Sequence, residues 1–115
     1  MNRLKNIHPG EILDEEFLKP MEITAYKLSL AIRVPQTRTI QILKGRRRIT
    51  ADTALRLAKY FGTSPGFWLG LQNDYDIEEE KANIKSELEQ IQSFRLNVVA
   101  TSSGEIISNI KSISH

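Results

Sequence analysis

Two short helical patterns, separated by a break of only three residues, constrain this sequence more than any other feature. Thr24 can cap the first helix, which runs to about Ile32. The break ends in Pro35, a residue that suits the first turn of a new helix because it needs no amide donor there. The second pattern extends to Lys44 and stops at Gly45. The sequence therefore predicts two short helices joined by a tight turn.

Three further helical patterns flank this pair, and no convincing strand interrupts them. The first lies at about 11–19, where we expect Pro20 to end it, and the last two are capped by Thr50 and Ser64. Apolar residues fall on one side of each helix: Ile12, Leu13 and Phe17; Ala54, Leu57, Ala58 and Phe61; and Phe67, Trp68 and Leu71. Residues 10–72 therefore predict an all-α domain of five short helices.

Charge is distributed unevenly along the chain, although the net charge is only +2. The window from Thr24 to Thr50 contains no Asp or Glu. Its seven basic residues are Lys27, Arg33, Arg38, Lys44, Arg46, Arg47 and Arg48. Acidic residues gather on both sides of this window, and we interpret the segregation as one face suited to a polyanion.

The two central helices have the arrangement of a helix-turn-helix, whose second helix lies in the DNA major groove and contacts base edges. Four polar residues of this second helix can reach outward: Gln36, Thr37, Arg38 and Gln41. A glutamine side chain pairs with the edge of adenine, and an arginine pairs with guanine. Ile42 and Leu43 face the core, and either Thr39 or Ile40 joins them there. We therefore predict that the four polar residues read bases.

Basic residues at both ends of this unit predict contacts with the phosphate backbone, which position a protein without reading sequence. Lys27 lies in the first turn of the first helix, where that helix would cross the backbone. The other basic residues follow the reading helix: Lys44, Arg46, Arg47 and Arg48. The alternative is that Arg47 or Arg48 pairs with an acidic residue of the same domain, which we expect for one of the three consecutive arginines but not for all of them.

The composition argues against catalysis and against a cofactor. The chain has no cysteine, and its only histidines are His8 and His115, so we expect neither a metal site nor a thiolate nucleophile. The sequence contains no phosphate-binding glycine loop and no paired acid and base. The amino terminus lacks the apolar segment of a signal peptide, and no apolar stretch is long enough to span a membrane. We expect a cytoplasmic protein that is not an enzyme.

Five sequence segments resemble one protein family. They are HPGEIL, VPQTR, ILKGRRRIT, DTALRLAKYFGTSP and WLGLQNDYD, and they cover residues 8–76. The sequence is similar to the HigA antitoxins, also called VapI-type, within the Xre group of lambda-repressor-like helix-turn-helix proteins. The resemblance implies a homodimer that binds palindromic operator DNA and represses its own operon. It also implies neutralisation of a HigB-like, messenger-RNA-cleaving toxin by direct binding.

Two positions depart from the family pattern. Arg33 stands at a turn position that often holds glycine, where a left-handed backbone would cost about 1 kcal/mol. Thr39 replaces a buried aliphatic residue that is common in the reading helix. The resemblance also leaves one alternative open, namely a stand-alone Xre-type transcriptional regulator without a toxin partner.

The chain is expected to divide into three parts. Residues 1–76 would form the helix-turn-helix domain, and residues 77–94 a further helix for dimerisation or contact with a partner. The tail at 95–115 combines a pattern that fits a strand with one that fits a helix, and its structure is left open.

Six residues are candidates for a dimer interface: Trp68, Leu71, Tyr75, Ile84, Leu88 and Ile91. The last three form a narrow apolar stripe on an otherwise charged helix, which cannot bury itself well alone. The first three have core packing as their alternative, and we favour that alternative for Trp68. Two copies would place their reading helices about one DNA turn, roughly 34 Å, apart.

Overall fold

The computed structural model describes residues 5–94, and every regular element in this part of the chain is a helix. Helix α1 is continuous through three segments, Pro9–Ile12, Leu13–Leu18 and Lys19–Met21. The others are α2 (Ala25–Ile32), α3 (Gln36–Leu43), α4 (Ala51–Phe61), α5 (Pro65–Asn83) and α6 (Lys85–Gln90). The predicted all-α class, five helices followed by a helical extension, is confirmed. The expectations for the tail lie outside the described residues.

Helix α1 does not end at Pro20, so the prediction that this proline would stop it is wrong. The middle segment has the wider turns of a π-helix, and the Lys19 N–H donates to the carbonyl of Asp14, five residues earlier. Pro20 cannot donate an N–H, but the hydrogen bonds before it already have the five-residue spacing of a π-helix. The helix therefore continues through Pro20 to Met21. It ends instead at Glu22, whose φ of 55° is left-handed.

The predicted caps of the central helices are confirmed by their hydrogen bonds. Thr24 Oγ1 accepts from the N–H of Lys27 at 3.1 Å, and Ser64 Oγ accepts from Phe67 at 3.0 Å. Thr50 caps α4 in the same way. Pro35 was expected in the first turn of α3, but it is the extended N-cap residue that directly precedes the helix. These local signals set where the helices begin.

Arg33 adopts the left-handed conformation that the sequence raised as a possibility, with φ 63° and ψ 53°. It ends α2 and turns the chain toward α3, a task that glycine performs without steric cost. Gly45 and Gly62 have positive φ angles at the ends of α3 and α4. The turn inside the helix-turn-helix is therefore the strained one of the three.

The core lies between the helices and includes the tryptophan of α5. Its buried apolar residues are Leu13, Leu18, Leu28, Ile32, Ile42, Ile49, Ala54, Leu57, Ala58 and Trp68. Trp68 has no exposed surface, packs against Phe17 at 4.9 Å between ring centroids, and donates its indole N–H to Thr63 Oγ1 at 2.7 Å. Assignment of Trp68 to a dimer interface is therefore wrong, because a fully buried side chain cannot contact a second chain.

Helix α5 is longer than the sequence pattern suggested. Residues 77–83, expected in a separate helix, continue α5, and the shorter α6 begins after Ile84. The chain divides into two compact units, of which the first ends at Ala82 and the second begins at Asn83. Leu88 and Ile91 are 42% and 70% exposed, so the apolar stripe of the second unit lies open on its surface. Within residues 5–94, no helix has both the length and the apolar character needed to cross a membrane.

Candidate nucleic-acid interface

A buried pair of hydroxyl groups fixes how α3 is rotated against α2. Ser29 Oγ donates to the carbonyl oxygen of Ala25 at 2.8 Å and forms a hydrogen bond with Thr39 Oγ1 at 2.7 Å. Thr39 is only 2% exposed, whereas Ile40 is half-buried. The open choice between these two residues is thus resolved in favour of Thr39. A polar pair of this kind suits only one register, because sliding or rotating either helix would leave the buried Thr39 hydroxyl without this partner.

The outward face of α3 follows from this rotation. With Thr39 and Ile42 turned into the core, Gln36, Thr37 and Gln41 are exposed to solvent. Their side chains offer amide and hydroxyl groups, which can donate to or accept from base edges. Three of the four predicted base-reading residues therefore share one open surface.

Arg38, the fourth predicted reader, is half-buried and already engaged. Its Nη1 lies 2.5 Å from Asp52 Oδ2 and 3.4 Å from Thr53 Oγ1. Its Nε is buried without a hydrogen-bond partner in the described structure. Only Nη2 remains open, so the two-nitrogen pairing with guanine that the sequence suggested is not available in this geometry.

Asp52 lies at the start of α4 and is shared by two arginines. Besides Arg38, it accepts from Arg56 Nε at 3.0 Å. The hydrogen bond from Arg38, followed by that from Arg56, holds the pKa of the Asp52 carboxyl below its usual value. The carboxylate is therefore ionised throughout the neutral range and binds both cations.

Arg56 ties this charged cluster to the turn between α2 and α3. Its Nη1 donates to the carbonyl oxygens of Ile32 at 2.9 Å and Arg33 at 3.1 Å. Those carbonyls end α2 and lack partners within the helix, so the guanidinium acts as a C-terminal cap. The sequence reading missed Arg56, because nothing local to residue 56 reveals contacts with residues more than twenty positions away.

The basic loop after α3 is anchored on α5 through a buried glutamine. The N–H of Ile49 donates to Gln72 Oε1 at 2.7 Å, and Gln72 Nε2 donates to Asp76 Oδ1 at 2.9 Å. Asp76 Oδ2 in turn lies 2.8 Å from Arg48 Nη2. Gln72, only 2% exposed, thus links the loop to the core, and the sequence reading also missed it.

The predicted phosphate-binding residues differ in how far they are engaged. Of the three consecutive arginines only Arg48 forms an ion pair with a described residue, in line with the expectation that one of them would pair but not all. Arg47 donates to Gln41 Oε1 at 3.1 Å. Lys27, Lys44 and Arg46 are exposed and form no ion pair with residues 5–94. The uncompensated positive charge therefore lies at both ends of the helix-turn-helix.

The start of α1 packs closely against the end of α3. A Cβ placed on Gly10 would lie 1.8 Å from the carbonyl oxygen of Ile42, so only glycine permits this approach. His8 Nδ1 accepts from the N–H of Gly10 at 2.9 Å, and its ring meets Tyr75 edge-on at 4.9 Å. Burial lowers the pKa of the His8 imidazole, and the charge of Asp76 opposes that shift. The imidazole is therefore neutral at pH 7, as its acceptor role requires.

The remaining interface candidates are placed as follows. Leu71 is half-buried and packs against the core, and Tyr75 is half-buried beside His8. Ile84 is half-buried, and Leu88 and Ile91 are exposed.

No cluster of three or more His, Asp or Glu within residues 5–94 could hold a metal ion.

Comparisons with known proteins agree with this architecture. A family model described as helix-turn-helix matches residues 15–68. The chain is 48% identical over 86 residues to virulence-associated protein I of Dichelobacter nodosus, an alignment that covers 72% of this chain and 80% of that protein.

Two solved structures share the fold over most of the chain. One is an addiction module antidote protein of the HigA family from Coxiella burnetii, with TM-score 0.75, 44% identity, and coverage of 79% of this chain and 100% of that one. The other is the Pseudomonas aeruginosa antitoxin HigA with the higBA promoter, with TM-score 0.76, 36% identity, and coverage of 78% and 99%.

Proposed function

Because the chain belongs to the HigA (VapI-type) family of helix-turn-helix proteins, we propose that it is a DNA-binding antitoxin. In this proposal it represses its own operon and neutralises a HigB-like, messenger-RNA-cleaving toxin by direct binding. The observation that carries the DNA-binding part is the open polar face of α3, whose rotation is fixed by the Ser29–Thr39 pair. A relative solved with its promoter supports the same assignment.

Base reading is assigned to the outward face of α3. Gln36, Thr37 and Gln41 would contact base edges directly, with the amide of Gln41 oriented by its bond from Arg47. Arg38 would contribute one nitrogen, Nη2, rather than two. Specificity then rests chiefly on the two glutamines, each able to make a paired contact with adenine.

Phosphate contacts are assigned to the basic residues at both ends of the unit. Lys27 would meet the backbone on one side of the groove, and the loop cations on the other: Lys44, Arg46, Arg47 and Arg48. Arg48 would have to share its guanidinium with Asp76, so we expect Lys44 and Arg46 to contribute most. A dimer that neutralises about six phosphates should show a slope of log affinity against log salt near −5.

Binding to a palindromic operator requires two copies of the reading helix. The exposed stripe of the second unit, Leu88 and Ile91 with half-buried Ile84, supports a homodimer interface there. Leu71 and Tyr75 would contribute only through their partly exposed edges. Replacement of Leu88 and Ile91 by glutamate should give a monomer in sedimentation experiments, whereas an unchanged dimer would place the interface elsewhere.

The DNA-binding proposal is tested by titrating the purified chain against its own upstream DNA and against scrambled DNA of equal composition, at two salt concentrations. We expect salt-sensitive binding to the upstream DNA at least a thousandfold tighter, roughly 4 kcal/mol, than to the scrambled control. A variant with Gln36 and Gln41 replaced by alanine should lose that preference but keep its salt dependence. Equal, weak binding to both DNAs by the unaltered chain would refute specific repression.

The antitoxin part needs a separate test. Co-expression with the product of a neighbouring toxin gene should suppress messenger-RNA cleavage, and the two proteins should purify together. The purified chain alone should leave RNA intact, since we propose a cytoplasmic binding protein and not an enzyme. Specific operator binding without any such partner would instead favour the stand-alone regulator.

A further inference from the structure

We propose that Asp52, which itself contacts no base, contributes to sequence specificity by positioning Arg38 so that a single nitrogen, Nη2, faces the DNA. This inference rests on the proposed function, because it assumes that α3 reads an operator. It assigns to a residue outside the helix-turn-helix a part in base reading. Asp52 would be a positioning residue, acting only through Arg38.

The geometry leaves Arg38 one way to contact DNA. Nη1 is held by Asp52 and Thr53, and Nε is enclosed by protein without a partner. Nη2 forms no hydrogen bond within residues 5–94 and is not among the buried unpaired atoms. Since a guanidinium is planar and rigid, fixing Nη1 fixes the direction of Nη2 as well.

Asp52 can hold Arg38 firmly because Asp52 is itself held. Arg56 binds the same carboxylate oxygen at 3.0 Å, and Arg56 is anchored by two carbonyl oxygens at the end of α2. The chain of contacts runs from the turn, through Arg56 and Asp52, to Arg38 on the reading helix. Each link is a charge-assisted hydrogen bond, which is short and directional.

Loss of this restraint should lower specific binding more than non-specific binding. Without this restraint, the Arg38 side chain loses conformational entropy each time it contacts its base in the operator. It can also bind any nearby phosphate, whatever the DNA sequence. On the operator the variant loses a preformed contact, whereas on scrambled DNA it loses nothing. The ratio of the two affinities is therefore the quantity in which the contribution of Asp52 is measured.

The test compares Asp52→Asn in the full-length chain with Asp74→Asn, which removes the same charge from an exposed position of α5. Both are titrated against the chain's own upstream DNA and against scrambled DNA. We expect Asp52→Asn to weaken upstream binding about tenfold while scrambled binding stays equal or tightens slightly. Asp74→Asn should leave the ratio unchanged, and Asp52→Glu should restore part of it.

A double-mutant cycle separates positioning from a merely structural role. If Asp52 acts through Arg38, the variant Arg38→Ala/Asp52→Asn should bind upstream DNA no more weakly than Arg38→Ala alone. A further loss in the double variant, or parallel losses on both DNAs, would overturn the proposal. If the unaltered chain shows no preference for upstream DNA, the proposed function fails and this inference fails with it. If the unaltered chain prefers upstream DNA, the proposed function stands, and the ratios of the variants then test this inference alone.

Discussion

The two ends of the reading helix are held by different physics. At its amino end, Arg38 is fixed by a partly exposed cluster of charges that it shares with Asp52 and Arg56. At its carboxyl end, the backbone of Ile42 lies against Gly10 with no room for a methyl group. Ionic contacts at the surface are weakened by solvent and salt, whereas close packing is not. The hold on the amino end therefore depends on salt, whereas the close packing at the carboxyl end, which we call the pivot, does not.

The largest effect is expected at the pivot, where Gly10 meets the backbone of Ile42. Replacement of Gly10 by alanine forces a Cβ to within 1.8 Å of the Ile42 carbonyl oxygen, so α1 and α3 must separate. We expect a loss of about 3 kcal/mol or more in the free energy of unfolding, measured with urea. Gly70→Ala is the control, because its Cβ meets nothing within 4 Å and should slightly stabilise α5. Equal stability of the two variants would show that the helices are not in contact.

The next largest effect is expected at Gln72. Gln72→Met keeps the length of the side chain but leaves the buried N–H of Ile49 without its acceptor. The unsatisfied donor should lower the unfolding free energy by about 1–3 kcal/mol. Asn73→Met, a change at the exposed neighbouring position, serves as the reference. If both variants melt at the same temperature, the loop is not anchored through Gln72.

A smaller effect, of opposite sign, is expected at the turn. Arg33→Gly removes the steric cost of a left-handed backbone and keeps the carbonyl that Arg56 binds. We expect stabilisation of about 1 kcal/mol relative to Arg33→Ala, which retains the cost. Thermal melts of the two variants measure the difference directly. Equal melting temperatures would mean that the turn is not strained.

The smallest effect is a pH dependence that belongs to the pivot alone. The pKa of His8 is lowered by folding, so the unfolded chain binds a proton more readily than the folded one. Stability should therefore fall as pH drops below about 6.5, the ordinary histidine pKa, and level off below the folded pKa. His8→Asn, which can still cap α1, should abolish this slope when urea unfolding is followed from pH 7 to pH 5. The pKa of the Asp52 carboxyl lies below its usual value, so this group titrates only in more acidic solution.

Local signals in the sequence predicted most of the fold. Thr24, Thr50 and Ser64 cap helices because a hydroxyl near the first free N–H groups satisfies them, whatever lies elsewhere in the chain. The passage of α1 through Pro20 was missed, because a π-helical turn depends on packing rather than on residue type. The length of α5 was missed for a related reason, since charged residues at 77–83 give no apolar stripe to follow.

The candidate site was predicted less completely than the fold. The exposed residues of α3 could be named from polarity and spacing alone. Their supports could not, because Thr39, Gln72 and Arg56 act through partners 10 to 24 positions away in the sequence. The buried placement of Thr39 shows the difficulty, since polarity predicts exposure and only its bond to Ser29 explains the opposite. Polar groups whose partners are distant leave no local pattern.

The anchoring of the basic loop on α5 has a mechanical consequence. Helix α5 has 19 residues and is therefore about 28 Å long. Near the middle of this helix, Gln72 and Asp76 bind Ile49 and Arg48 of the basic loop. Any ligand that tilts α5 against the core must either move Arg48 with the helix or break the bonds from Gln72 and Asp76 to the loop. A force applied at the far end of α5 is thus transmitted to the DNA-facing surface without passing through the reading helix.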